Sequence, residues 1–74
     1  MILDPRHLVQ LATIVELGTF QAAADALGVT QPALTRTIQI LEKRVGSALF
    51  DRTTRRAVPT TVGLELAAVG QSIR

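Results

Sequence analysis

The sequence predicts a mainly helical domain, and three observations carry that prediction. Four stretches of the 74-residue chain each open on a side chain suited to capping a helix: Asp4, Thr19, Thr30 and Thr60. In three of these stretches apolar residues recur at intervals of three and four, the spacing that gathers them on one helical face. Only residues 47–59 break that period, and they carry three arginines within five positions. The expected order is therefore three helices, a short extended excursion and a fourth helix.

The first helix opens at Asp4-Pro5, with aspartate as the cap and proline where its missing N–H is harmless. Leu8, Leu11, Ala12 and Val15 form its expected inner face, and Gly18 ends it. His7 has no partner type nearby in sequence and reads as a surface or semi-buried histidine, not a ligand. Thr19 caps a second helix, Phe20 to Leu27, whose Ala22, Ala23, Ala24 and Ala26 let another helix come close. Gly28 suits a left-handed helix end, Val29 is expected to pack, and Thr30 starts the next helix. Helix, three-residue turn with glycine, helix is the spacing of a helix-turn-helix, although ordinary helical corners share it.

The third helix is the one around which the rest is organised. Pro32 falls in its first turn, and Leu34, Ile38, Leu41 and Val45 stack as an apolar back. Pro32, Arg36, Gln39 and Lys43 occupy the opposite face, and Gln31 reaches sideways past the helix end. Side chains of these types pair with base edges and phosphates, so this reads as a recognition helix with Thr30, Gln31, Pro32, Thr35, Arg36 and Gln39 as the DNA-facing candidates. A polar front alone would suit any surface helix; the turn before it tips the balance. Ile40 sits on the polar arc without a role that periodicity supplies.

After Gly46, two extended pieces at about residues 49–52 and 57–59 flank a turn at 53–56. Leu49 and Phe50 are the expected anchors, and Arg52, Arg55 and Arg56 are expected to ride into solvent. Beside a helix-turn-helix such a flap is a wing, suited to a phosphate backbone or a minor groove. Thr60 then caps a fourth helix from residue 61 to about 74, where Val62, Leu66, Val69 and Ile73 repeat at four, three and four. Leu64, Ala67 and Ala68 lie off that stripe, so the helix needs covering on more than one side. The first helix is expected to supply one cover and a second copy of the chain the other.

Composition narrows the function classes. At 47% hydrophobic the chain can fold, but it has no apolar run of about 18 residues, and no membrane role is expected. The N-terminus lacks the charged-then-apolar order of a signal peptide. With no cysteine and one histidine, neither a metal site nor a catalytic dyad has its materials, so no cofactor and no enzymatic activity are expected. The lack of cysteine also fits a reducing cytoplasm. Net charge is only +2, yet residues 1–29 carry −2, residues 30–56 carry +4 and residues 57–74 balance. The positive middle third suits a polyanion. Two phenylalanines are too few for a single-strand stacking platform, which favours duplex DNA.

Taken together, Gly18-Thr19-Phe20, Ala23-Ala24, Leu27, Thr30-Gln31-Pro32-Ala33-Leu34-Thr35, Ile38, Leu41-Glu42, Gly46, Leu49-Phe50 with Arg52, Arg55, and Thr60 with Gly63 match a known pattern in order. The chain resembles the N-terminal DNA-binding domain of LysR-type transcriptional regulators. The resemblance implies a winged helix-turn-helix over residues 1–60, and a linker helix from 61 to 74 through which two subunits pair. It implies base contacts from Gln31, Pro32, Thr35 and Arg36, a wing arginine at Arg55 or nearby, and an interrupted palindromic duplex site with one half-site per subunit. The pairing stripe would be Val62, Leu66, Val69 and Ile73. Thr35 stands where serine is usual, Thr54 replaces a common wing-tip glycine, and Pro59 a common aliphatic. Family members carry an effector-binding domain after the linker helix, so an isolated domain or a shortened form is expected, with any effector bound on that further domain. The rival reading is a small helical module that docks a protein partner through its fourth helix.

Overall fold

The computed structural model describes residues 2–51, 53 and 55–74. Its elements are α1 (Pro5–Leu17), α2 (Phe20–Leu27), α3 (Gln31–Val45), β1 (Phe50–Asp51), β2 (Val58–Pro59) and α4 (Thr61–Ile73). The fold is a winged helix-turn-helix followed by a fourth helix, as the residue pattern predicts. Each helix starts on the predicted cap. Asp4 accepts from Arg6 N at 2.9 Å, Thr19 from Ala22 N at 3.1 Å, Thr30 from Ala33 N at 3.2 Å and Thr60 from Gly63 N at 3.1 Å. Every such bond satisfies a first-turn N–H that has no partner within the helix.

The turn between α2 and α3 is set by Gly28, whose φ of +71° lies where a side chain is strained. Val29 N then donates back to Ala24 O at 3.0 Å, closing the end of α2. Val29, expected to pack, is instead 36% exposed.

Leu11, Ile14, Leu34, Ile38, Leu41, Leu49 and Phe50 fill the core. Phe20 meets Phe50 edge-on, with ring centroids 5.3 Å apart. The expected inner face of α1 needs one correction: Thr13 and Ile14 are buried, and Val15 only partly. Helices α2, α3 and α4 all pack against α1, so its buried arc is wider than a stripe. Thr13 is tolerated there because its hydroxyl donates to Val9 O at 2.9 Å.

Among the described residues the wing strands cover Phe50–Asp51 and Val58–Pro59, where about 49–52 and 57–59 are expected. Its ladder pairs Phe50 with Pro59 and Asp51 with Val58 in antiparallel register. Arg52 and Thr54 lie outside the described residues. Three bonds fix the wing's base: Glu42 Oε2 accepts from Leu49 N at 2.8 Å, Thr60 N donates to Leu49 O at 3.0 Å, and Thr60 Oγ1 donates to Ala48 O at 2.7 Å.

Helix α4 turns its small residues inward. The face turned fully inward is Gly63, Ala67 and Gly70, about a quarter turn round from the stripe of large residues. A Cβ on Gly63 would stand 2.1 Å from Leu49 O, and one on Gly70 would stand 2.1 Å from Leu8 O. The helix therefore packs backbone against backbone. Val62 and Leu66 lean on the core as half-buried neighbours, whereas Val69 and Ile73 remain 46% and 45% exposed. At its end, Arg74 pairs with Glu16, and Gln71 Nε2 donates to the same carboxylate at 3.3 Å.

Candidate nucleic-acid interface

The start of α3 faces the wing across an open cleft of about 170 Å³. Gln31 and Thr35 line one wall, Arg55, Arg56 and Asp51 the other, and the Phe20–Phe50 pair the floor. A neighbouring hollow extends it past Arg55 and Arg56 to Thr19 and Gln21 at the start of α2. Four of the sequence-predicted contact residues are thus brought together from segments some twenty positions apart. Pro32, Arg36 and Gln39 do not line the cleft; they stand exposed on the open front of α3. Thr30 is occupied as a cap.

The wing reaches this position through a tether that residue types do not signal. Ala57 N donates to Gly18 O at 2.9 Å, which ties the returning strand to the α1–α2 turn. The Arg56 guanidinium lies over Gly18, where a Cβ would come within 3.1 Å of Nη2. Arg56, expected to point freely into solvent, is exposed but held against that turn. Asp51 was also missed as a member of the cleft. Its carboxylate accepts from Thr53 N at 2.9 Å and from Thr53 Oγ1 at 2.7 Å, and both bonds hold its pKa below the usual carboxylate range. An aspartate two residues before a threonine is the available signal, since that spacing builds a side-chain-closed turn.

The charges are arranged by sign. Among the described residues, Arg36, Lys43, Arg44 and Arg55 make no salt bridge, while Arg6 and Arg74 are matched to Asp4 and Glu16 away from the cleft. Unneutralised cations thus concentrate on α3 and the wing. Lys43 and Arg44 also oppose the negative end of the α3 dipole. His7 is half-buried, with Nε2 3.7 Å from Asp4 Oδ2. Ile40 borders a shallow hollow with Ile2, Asp4, His7 and Arg44, and is 38% exposed. No group of three or more metal-ligating side chains occurs among the described residues, and no helix is long and apolar enough to cross a membrane.

Residues 5–64 match the family model described as a bacterial regulatory helix-turn-helix protein of the lysR family. The chain belongs to that family. Among lysR-family relatives, it is 46% identical over 68 residues to the HTH-type transcriptional regulator CbbR of Rhizobium meliloti (strain 1021), covering 92% of this chain and 22% of that protein. It is also 46% identical over 63 residues to a probable RuBisCO transcriptional regulator of Cyanophora paradoxa, covering 85% of this chain and 19% of the relative. The chain therefore spans about a fifth of the length of these relatives. In structure it is similar to the BenM DNA-binding domain in complex with catB site 1 DNA, with TM-score 0.88, 34% identity, and coverage of 96% of this chain and 79% of that one. Vibrio fischeri DarR in complex with DNA matches at TM-score 0.87 and 29% identity, over 99% of this chain and 24% of that chain.

Proposed function

We propose that this lysR-family chain is the DNA-binding part of a transcriptional regulator and recognises a specific duplex sequence in the cytoplasm. The observation that carries this reading is the cleft that sets Gln31 and Thr35 of α3 opposite Arg55 and Arg56 of the wing. Residues 1–60 form the binding unit. The exposed front of α3, with Gln31, Pro32, Thr35, Arg36 and Gln39, reads base edges in a major groove. Arg52, Arg55 and Arg56 meet phosphates or the adjacent minor groove. Thr30 contributes as the cap that sets the helix start.

Residues 61–74 begin a linker helix through which two copies pair, so that the preferred duplex is an interrupted palindrome. A small-molecule effector acts through a further domain of the longer regulator, and the chain itself performs no catalysis. The DNA complexes of BenM and DarR support the duplex reading for a fold this similar. The rival, a protein-docking module without DNA, accounts for α4 but leaves Arg36, Lys43, Arg44 and Arg55, which make no salt bridge among the described residues, without a purpose. Selection of bound duplexes from a random pool by the purified chain tests the proposal. Enrichment of a two-fold-related motif supports it, and recovery of an unenriched pool overturns it.

A further inference from the structure

We propose that Asp51, the one carboxylate lining the cleft among the described residues, is a positioning residue that holds the wing in the shape in which Arg55 meets DNA. This rests on the duplex-binding reading above and deepens it. A carboxylate beside a phosphate-binding surface is at first sight unfavourable, because it repels the ligand that Arg55 and Arg56 attract. Asp51 nevertheless stands in the cleft with both of those arginines. Its location explains the exception. Asp51 is the last residue of β1, paired with Val58 of β2, so the chain reverses between these two positions.

One oxygen, Oδ1, takes both the Thr53 N–H at 2.9 Å and the Thr53 hydroxyl at 2.7 Å. That double acceptance ties Thr53 back to the end of β1. Among the described residues Arg55 makes no salt bridge, so Asp51 does not act by holding the guanidinium directly. The carboxylate instead acts on the backbone at Thr53, two residues before Arg55, which is exposed and lines the cleft with Gln31 and Thr35.

Two roles of Asp51 thus predict opposite signs. As a repelling charge alone, its loss by either Asn or Ala raises affinity. As a turn-closing acceptor, Asn keeps Oδ1 and removes the charge, whereas Ala removes both. The test measures binding of fluorescein-labelled mixed-sequence 30-base-pair duplex DNA to the full chain by anisotropy, across a series of salt concentrations. Asp51→Asn is expected to bind as tightly as the wild type or tighter. Asp51→Ala is expected to bind about three- to tenfold more weakly, with the slope of log K against log salt reduced by about 0.9, the loss of one phosphate contact. In an Arg55→Ala background the Asp51→Ala change is expected to have no further effect. Asp51 is exposed, and unchanged circular dichroism in all variants confirms that the helices persist. Asp51→Ala binding as tightly as Asp51→Asn overturns the positioning role while leaving duplex binding intact. A wild-type chain with no salt-dependent binding overturns both.

Discussion

The Glu42 carboxylate accepts the part-buried backbone N–H of Leu49 at 2.8 Å, bridging the end of α3 to the root of the wing. A recognition helix and a wing can grip one duplex only if their separation is fixed, and this bond spans that joint. Glu42→Ala leaves the N–H without its acceptor, which costs about 1–3 kcal/mol. Glu42→Gln keeps an acceptor oxygen and is expected to lose less. Urea unfolding of the two variants checks the order.

The glycines of α4 make a second prediction. Gly63→Ala and Gly70→Ala each drive a Cβ to 2.1 Å from a backbone carbonyl oxygen, which no side-chain rearrangement relieves. Each is expected to destabilise the chain by about 1–3 kcal/mol or more by overpacking. Gly28→Ala meets nothing within 4 Å, yet its φ of +71° imposes strain of about 1–2 kcal/mol. Thermal unfolding checks the order, with Gly63→Ala and Gly70→Ala expected to melt below Gly28→Ala.

Base reading is expected from the front of α3. Gln31→Ala and Arg36→Ala should reduce discrimination between selected and random duplexes by roughly 1–3 kcal/mol, the worth of a good bidentate base contact. Non-specific affinity should change less for Gln31, which carries no charge. Equal losses on both duplexes would remove these residues from base readout.

Pairing through α4 is expected to depend on its exposed end. Val69→Glu and Ile73→Glu should give folded monomers with weakened binding to a palindrome and nearly unchanged half-site affinity, because both side chains stand in solvent. Leu66→Glu is expected to lower stability as well, since Leu66 packs against the core. Sedimentation across a concentration series reads the association, and a strictly monomeric wild type ends the pairing claim for this chain.

Acid sensitivity follows from the carboxylates. Bonds from the Arg6 side chain and backbone hold the Asp4 pKa at about 2, against an ordinary value of 3.8. Glu16 is lowered by Arg74 and Asp51 by Thr53. A depressed folded pKa contributes stability above the unfolded value and loses it as pH falls through the folded one. For Asp4 that window runs from about pH 4 down to about pH 2. Asp4→Asn keeps a capping oxygen and is expected to flatten the loss of melting temperature in that range.

The helices, their caps and the candidate reading residues were legible in the residues because they are local matters. A cap joins positions two or three apart, and an apolar back repeats every three or four, so Thr30, Leu34 and Ile38 announce themselves without a partner in view. The joint between Gly18 and Ala57 and the bond from Glu42 to Leu49 are different. The first joins two backbone groups and the second a carboxylate to a backbone N–H, and only folding brings the partners within reach. The same limit explains why the residue pattern does not show which face of α4 is turned inward. Large apolar residues drew attention to Val62, Leu66, Val69 and Ile73, but what α1 and Leu49 accept is the absence of side chains at Gly63 and Gly70. Hydrophobic periodicity registers how much surface a residue offers to bury; it does not register how closely two backbones must approach, and in this chain that closeness determines which side of α4 is turned inward.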